Sequence, residues 1–202
     1  MKKVAVIGGM GNMGRRYALI LKKYCDCEVV VWDLKMGASN VKLDDCDGFI
    51  IATPTDTHYT MIRVFMLYGK PILCEKPVIT NQEQFRTLLS FESLDLSMIN
   101  QYEFLVDEHG EGHTQYNYFK TGGDSLLWDC MNIIGLAKTT HEVSNDSLIW
   151  SCTINGQELS IRDIDMSYID NIVAWTKGWR NKEYLVKAHE KVWGLLYAQK
   201  SK

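Results

Sequence analysis

The residues best suited to chemistry begin with glycines that follow a short apolar stretch near the amino terminus. Gly9, Gly11 and Gly14 form a G-x-G-x-x-G pattern directly after residues 3–8, Lys-Val-Ala-Val-Ile-Gly. After a strand, the first glycine permits a tight turn and the second lets a pyrophosphate approach the backbone. The third lets the following helix pack closely on the strand, so the pattern predicts a dinucleotide-binding turn.

A carboxylate follows at the spacing that suits a ribose. Asp33 ends a second apolar stretch, residues 28–33, about 20 residues after the glycines. There it would accept hydrogen bonds from both ribose hydroxyls and repel a 2′-phosphate, which predicts NAD rather than NADP. The amides of Asn12 and Met13, at the start of the helix, would face the phosphates. The alternative is a structural glycine turn and a solvated aspartate.

Two further polar clusters follow apolar stretches. Residues 52–58 read Ala-Thr-Pro-Thr-Asp-Thr-His, and residues 69–77 read Gly-Lys-Pro-Ile-Leu-Cys-Glu-Lys-Pro. Both follow or contain a predicted parallel strand, and ligands of such sheets bind beyond the carboxyl ends of the strands. Lys76 therefore faces the predicted ligand crevice, whereas the alternative is a solvated lysine in a turn.

Together these segments resemble the Gfo/Idh/MocA family, named for glucose-fructose oxidoreductase and inositol dehydrogenase. The resemblance covers residues 1–104 and implies a Rossmann fold and nicotinamide-dependent oxidation or reduction. The family pattern implies that four residues border the ribose and pyrophosphate of the cofactor: Thr53, Pro54, Thr55 and His58. For His58 the alternative is a surface residue on a first helical turn.

The same resemblance implies roles for the end of the third segment. Glu75 and Lys76 would lie under the nicotinamide ribose, and Lys76 would reach the reacting carbon. The bond between Lys76 and Pro77 is a candidate for a cis peptide, a form available mainly before proline.

The chain departs from the family where a catalytic histidine is expected. Asp129 matches the family's aspartate, which would bind substrate hydroxyls, but the position four residues later is Ile133. Neither Ile133 nor its neighbour Asn132 can act as a base, and Glu103 stands where an arginine is often found. The alternative for Asp129 is an ordinary helix-surface carboxylate. Any of three other histidines could replace the missing base: His109, His113 and His141.

Alternating strands and helices predict an α/β Rossmann fold, a doubly wound parallel sheet, with a small α+β C-terminal domain. The domains are predicted as 1–104 for the dinucleotide and 105–202 for substrate binding and oligomerisation. We expect a helix from Asn12 to Tyr24 and another from Thr53-Pro54 to Tyr68, ended by Gly69.

Other elements are predicted from local signals. Thr80-x-x-Glu83 is read as a capping box for a helix that reaches Ser90. Asn155-Gly156 is a strong hairpin turn within residues 148–161. Its register pairs Cys152 with Leu159 and Trp150 with Ile161. Helices over about 124–137, 164–176 and 181–199 complete the second domain.

The composition argues against several other classes of protein. The net charge is −3 with scattered basic residues, so no nucleic-acid partner is expected. There is no apolar run of about 18 residues, so no membrane partner is expected either. The six cysteines form no zinc pattern, so no metal is expected, and the apparent lack of a secretion signal favours the cytoplasm.

These observations predict an NAD-dependent oxidoreductase that acts on a polyol, a sugar derivative or a related small molecule. The family usually forms oligomers, so a homodimer or larger assembly is expected. A different class remains open, a non-catalytic NAD-binding sensor or partner-binding protein, which Ile133 favours. A third possibility is a reductase of a conjugated or imine substrate, with the proton supplied by solvent or Lys76.

Overall fold

The computed structural model describes residues 1–36, 42–100, 113–117, 124–131, 140–144, 151–154 and 156–200. The chain divides into two compact units. The first unit comprises Met1–Ile99 and Ile172–Lys182, and the second comprises Asn100–Asn171 and Glu183–Lys202. The predicted boundary after residue 104 falls outside the described residues and stays a prediction.

The first unit is built on a five-stranded parallel sheet in the order β2-β1-β3-β4-β5. Its strands are short and apolar, and β1, β3, β4 and β5 are almost fully buried, as expected for a sheet covered on both faces. The elements of this sheet and its helices are β1 (Lys3–Ile7), α1 (Asn12–Tyr24), β2 (Glu28–Trp32), β3 (Gly48–Ile51), α2 (His58–Phe65), β4 (Ile72–Cys74), α3 (Gln82–Leu89) and β5 (Leu96–Met98).

The strand order creates a switch point between β1 and β3. From β1 the chain passes through α1 to β2 on one side, and it then returns to β3 on the other side of β1. Both neighbours pair with β1 in parallel, with Ile7 opposite Trp32 and Ile51. The segments that leave β1 and β3 therefore diverge and form the crevice in which doubly wound folds bind their ligands.

Several predicted features of this unit are confirmed. Helix α1 begins and ends at the expected residues. The expected helix after Pro54 is α2 flanked by two 3₁₀ turns, Thr55–Thr57 and Met66–Tyr68, and Gly69 ends it in the left-handed region at φ 60°. The capping prediction was wrong, because Asn81 rather than Thr80 caps α3 and its side chain accepts from the N–H of Gln84.

A late segment of the chain packs in the first unit. The Arg180 guanidinium donates to both carboxylate oxygens of Asp95, next to β5, at 2.7 and 2.8 Å. Asn181 accepts from the N–H of Met98 and donates to its carbonyl, as a neighbouring strand would. These bonds hold residues 172–182 against the edge of the sheet. The predicted domains, 1–104 and 105–202, instead assign this segment to the second domain.

The second unit contains a four-stranded sheet within the described residues, in the order β7-β6-β8-β9. Strand β6 pairs in parallel with β7 and antiparallel with β8. Its strands and first helix are β6 (His113–Asn117), α4 (Asp124–Asp129), β7 (Thr140–Ser144), β8 (Ser151–Ile154) and β9 (Gln157–Glu158). The unit also contains α5 (Ile161–Thr176) as far as Asn171 and α6 (Lys182–Lys200) from Glu183.

The predicted hairpin is confirmed in part. Gly156 adopts φ 79°, and the Leu159 N–H donates to the Cys152 carbonyl, as the predicted register requires. The predicted pairing of Trp150 with Ile161 was wrong, because Ile161 begins α5 and is 73% exposed; Trp150 lies outside the described residues. Ser160 and Asp163 form a reciprocal capping box that starts the helix there.

Candidate functional site

A cavity of about 320 Å³ opens at the switch point of the first sheet. Its wall comes from the segments that follow β1, β2 and β3, together with one residue of α2. The lining residues are Gly8, Gly11, Trp32, Asp33, Leu34, Lys35, Ala52, Thr53, Pro54, Thr57 and Met61. The cavity is therefore largely apolar, with a carboxylate, a lysine and backbone amides at its edge.

The first glycines of the loop have roles that differ from the predicted ones. Gly8, rather than Gly9, makes the tight turn, since Gly8 has φ 81° and a Cβ there would lie 2.8 Å from the Ala52 carbonyl oxygen. Gly9 is required by packing, because its Cβ would lie 2.5 Å from a methyl carbon of Val31. Gly8 could have been recognised as a glycine that directly ends an apolar strand.

Gly14 has the packing role expected of it, whereas the approach of a pyrophosphate to Gly11 stays a prediction. A Cβ at Gly14 would lie 2.3 Å from the Gly8 carbonyl oxygen, so helix and loop touch there. A Cβ at Gly11 would meet only that oxygen, at 3.3 Å, and Gly11 lines the cavity. Gly11 also caps α1 without a side-chain bond, so the amides of Asn12 and Met13 stand at an open helix terminus.

Asp33 is 9% exposed and held by the backbone on both sides. One carboxylate oxygen accepts from the Met10 N–H and the other from the Lys35 N–H, each at 3.0 Å. A carboxylate oxygen has a second lone pair, so each can still accept from a ribose hydroxyl. The aspartate is thus both a loop anchor and an oriented acceptor at the cavity wall.

The segment after β3 is braced by His58. Its Nε2 lies 2.8 Å from the Thr53 carbonyl oxygen and its Nδ1 lies 2.9 Å from the Pro77 carbonyl oxygen. Burial lowers the pKa of His58, while the carbonyl contacts act in the opposite direction. The His58 residue is 1% exposed. Its two carbonyl contacts tie the loop after β3 to the loop after β4.

The remaining predicted residues of this segment are placed near the cavity. Thr53 and Pro54 line it, and the Thr57 hydroxyl donates to the Thr53 hydroxyl at 2.8 Å. Thr55 begins the short 3₁₀ turn that leads into α2. The bonds within this turn hold the wall of the cavity in one conformation.

Glu75 and Lys76 follow β4, beside the carboxyl end of β3. The Glu75 N–H donates to the Ile51 carbonyl at 2.9 Å, which continues the sheet pairing. One carboxylate oxygen of Glu75 accepts from the Tyr17 hydroxyl, and the other accepts from the Lys76 N–H at 2.8 Å. Burial raises the pKa of Glu75, against the opposing influence of Lys76 and Arg16. The predicted cis peptide between Lys76 and Pro77 is confirmed.

Asp129 ends α4 in the second unit and is half-buried. The preceding Trp128 packs against His189 and Trp193, with ring centroids 5.8 Å from each. His189 is fully buried and its Nδ1 lies 2.8 Å from the Leu185 carbonyl, so this nitrogen carries the proton. Its burial lowers the pKa of His189 to about 4.

The positions at which the chain departs from the family pattern, and the histidines that could replace the missing base, are not placed. Glu103, His109, Asn132 and Ile133 lie outside the described residues. His113 and His141 lie in strands whose side chains are not described. The sequence also missed seven residues of the cavity wall: Gly8, Trp32, Leu34, Lys35, Ala52, Thr57 and Met61. Three of these flank Asp33 closely enough to be found from it, whereas Met61 carries no local signal.

Comparison with known proteins agrees with this geometry. Residues 2–93 match the Gfo/Idh/MocA family model, that of an oxidoreductase family with an NAD-binding Rossmann fold. Residues 2–93 therefore resemble the NAD-binding domain of the Gfo/Idh/MocA oxidoreductases. The glycine loop and the segments after β3 and β4 all lie within the matched residues. The recognition made from the sequence is therefore confirmed.

Individual proteins similar to this chain include dehydrogenases. An inositol 2-dehydrogenase of Rhizobium meliloti (strain 1021) is 40% identical over 67 residues, which are 33% of this chain and 19% of that protein. The chain therefore spans about a fifth of that curated relative's length.

Solved structures share the fold at low identity. The WlbA (WbpB) dehydrogenase of Thermus thermophilus, in complex with NAD and UDP-GlcNAcA, has a TM-score of 0.67 and 14% identity over 98% of this chain and 94% of that chain. The scyllo-inositol dehydrogenase of Lactobacillus casei, with bound NAD(H) and scyllo-inositol, has a TM-score of 0.64 and 12% identity over 96% and 95%. The predicted α/β Rossmann fold is confirmed.

The described part of the chain contains neither a membrane-spanning helix nor a metal-binding cluster. Among those residues, no helix combines the length and the apolar character needed to cross a membrane. No group of three or more His, Cys, Asp or Glu side chains there could hold a metal ion.

Proposed function

We propose that this protein is an NAD-dependent oxidoreductase that transfers a hydride between the nicotinamide and a hydroxyl-bearing or carbonyl carbon of a polyol or sugar derivative. The observation that carries the proposal is the position of Glu75-Lys76 beside the loop that forms the cavity wall. The Glu75 N–H bonds to Ile51, one residue before Ala52 of the wall, and His58 joins Thr53 to Pro77. A dinucleotide site and a titratable lysine thus lie in neighbouring loops.

The residues of the cavity suit an NAD molecule. The apolar side chains of Trp32, Leu34 and Met61 offer a slot for a flat aromatic base. Asp33 would accept from the ribose hydroxyls, and its negative charge favours NAD over NADP. The open backbone at Gly11 and the N-terminus of α1 would hold the pyrophosphate, because unpaired amides and the helix dipole attract anions.

Lys76 is the residue to which we assign proton transfer. The bound nicotinamide supplies a two-electron acceptor or donor at the carboxyl edge of the sheet. In the oxidation of a substrate alcohol, the Lys76 amine would accept the proton that the hydroxyl oxygen loses, and the hydride would pass to the nicotinamide. In the reverse direction the Lys76 ammonium would polarise the carbonyl and return the proton to its oxygen. Positioned proton transfer of this kind contributes about 10²–10⁴-fold in rate.

The substrate class rests on the relatives and on Asp129. The similar proteins include inositol dehydrogenases and a dehydrogenase in complex with a nucleotide sugar, whose ligands carry several hydroxyl groups. A carboxylate such as Asp129 accepts hydrogen bonds from adjacent hydroxyls. We therefore keep Asp129 as the predicted substrate-binding residue of the second domain, and we keep the cytoplasm as the predicted location.

A substrate panel tests the proposal. The protein is incubated with NAD and with inositols, aldoses, polyols and UDP-linked amino sugars, and NADH formation is followed by absorbance. We expect turnover with at least one hydroxylated compound. NADP in place of NAD serves as the cofactor control. The absence of turnover with every compound, in a protein that binds NAD, would overturn the catalytic part of the proposal.

A second candidate function is an NAD-binding sensor without turnover. Ile133, at the position of the family's histidine, favours it because an aliphatic side chain transfers no proton. The two functions share the cofactor site and differ in the need for Lys76. A sensor should bind NAD normally, form no NADH with any substrate and tolerate replacement of Lys76.

A further inference from the structure

Tyr17 and Glu75 form a buried pair between two parts of the cofactor domain that are 58 residues apart in sequence. Tyr17 has no exposed surface, and Glu75 is 9% exposed. The tyrosine hydroxyl donates to Oε1 of Glu75, while Oε2 accepts from the Lys76 N–H at 2.8 Å. Glu75 therefore links the Tyr17 side chain to the backbone of Lys76.

Because Tyr17 lies on α1, its bond to Glu75 connects the loop after β4 to the helix that follows the glycine loop. Helix α1 begins at the glycine loop, and Tyr17 lies one turn after Gly14, the glycine in closest contact with that loop. Residues three apart on a helix lie on the same face. Tyr17 and Gly14 thus belong to the buried face of the helix whose N-terminus points at the proposed pyrophosphate site.

We propose that Tyr17 is a positioning residue that holds Glu75 ionised and, through it, fixes the orientation of Lys76 relative to the cofactor helix. This inference rests on the proposed NAD site. A neutral buried environment penalises the carboxylate form, and a hydrogen bond from a donor such as a phenol favours it. Without the tyrosine hydroxyl, Glu75 would take up a proton at a higher pH and would lose one of its two anchors.

The charged groups around Glu75 come from two elements. Arg16, like Tyr17, belongs to α1, and Lys76 follows on the same loop as Glu75; both cations favour the ionised form. His58 contacts Pro77 in that loop, and burial lowers the pKa of its imidazole. Since His58 is present in both proteins compared below, its contribution cancels in the difference between them.

The change with pH in the stability lost by Tyr17→Phe distinguishes a positioning role of Tyr17 from a role in packing alone. The folded-state pKa of Glu75 is raised, so its ionisation costs stability as the pH increases. Removing the Tyr17 hydroxyl raises that pKa further, so Tyr17→Phe should lose more stability at pH 8 than at pH 5. A variant that had lost only packing would be destabilised equally at both values.

The first test therefore compares melting temperatures. Tyr17→Phe should melt below the wild type by about 2–4 °C more at pH 8 than at pH 5, the shift typical of one lost hydrogen bond at this size. Tyr24→Phe, which removes a hydroxyl from the exposed end of the same helix, should match the wild type. In a Glu75→Gln background, Tyr17→Phe should show no such dependence on pH. Equal losses at both pH values would overturn the proposal.

The second test measures NADH affinity by fluorescence titration at pH 8. We expect Tyr17→Phe and Glu75→Gln each to weaken binding about fivefold, and Tyr24→Phe to leave it unchanged. Unchanged NADH affinity in Tyr17→Phe would overturn the link to the cofactor site, even if the melting temperatures behaved as expected. A wild-type protein that binds no NADH would instead overturn the proposed function, so that titration is done first.

Discussion

The backbone N–H of Met10 donates to the side chain of Asp33 at 3.0 Å, which joins the glycine loop to the end of β2. The residue expected to choose the cofactor is therefore also part of the loop that should hold the pyrophosphate. A change at Asp33 alters charge and loop geometry together. Variants that separate the two effects are more informative than removal of the whole side chain.

The first prediction concerns cofactor choice. The wild type should bind NADH at least about tenfold more tightly than NADPH, because like charges brought together cost several kcal/mol. Asp33→Asn keeps an oxygen acceptor for one of the two loop amides and removes the charge, so it should narrow the preference. Lys35, which also lines the cavity, could then attract the 2′-phosphate.

Calorimetric titration with both cofactors measures this preference. Asp33→Ala should weaken binding of both, because the Met10 and Lys35 amides lose their acceptor. Equal or tighter binding of NADPH by the wild type would contradict the assignment of Asp33.

The second prediction separates folding from binding within the glycine loop. Gly14→Ala places a carbon 2.3 Å from the Gly8 carbonyl oxygen, so it should destabilise the protein by about 1–3 kcal/mol. Gly11→Ala meets only one atom, at 3.3 Å, so it should fold with near-normal stability and bind NADH weakly. Urea unfolding and NADH titration of both variants check this. A Gly11→Ala protein with unchanged NADH affinity would show that the cofactor does not approach there.

Several features of both domains could be predicted because their signals are local. The glycine spacing and the apolar periodicity define α1, and Asn155-Gly156 defines the register of Cys152 with Leu159. The start of α5 is also encoded locally, in Ser160-x-x-Asp163. The predicted strand nevertheless includes Ile161, because the alternating apolar pattern of the preceding residues continues to that position.

Other features depend on residues distant in sequence and could not be predicted. The two carbonyls that contact His58 belong to Thr53 and Pro77, and the second is placed only by the pairing of β3 with β4. The bond between Tyr17 and Glu75 likewise exists only after α1 packs on the sheet. The spacing of residues in the sequence predicts which residue types form the site. Tertiary packing determines which groups those residues contact.

The third prediction concerns pH and the second domain. His189 has its pKa lowered to about 4, below its ordinary 6.5, so the folded state binds fewer protons than the unfolded state. Its contribution to stability is complete above pH 6.5 and is lost as the pH falls towards about 4, up to about 3 kcal/mol. Urea unfolding at several pH values should show this decline. His189→Gln should be less stable at neutral pH and should show a shallower decline; an unchanged slope would contradict the account.

The fourth prediction concerns assembly. A small domain with a four-stranded sheet needs cover for its apolar faces, and α6 exposes Leu195 and Tyr197. We expect a homodimer or larger oligomer, as the family resemblance implied. Light scattering coupled to size-exclusion chromatography at micromolar concentration measures the mass. A monomer under those conditions would count against the prediction.

The central claim is that Lys76 transfers a proton during NAD-dependent turnover. Lys70 and Lys76 flank opposite ends of β4, so Lys70→Met provides a matched control that removes a similar charge away from the cavity. The measurement is the rate of NADH formation by wild type, Lys76→Met and Lys70→Met with the substrate found in the panel. We predict that Lys76→Met lowers kcat by about 10²–10⁴-fold with little change in NAD affinity, and that Lys70→Met does not. Turnover by Lys76→Met at the wild-type rate would contradict the account.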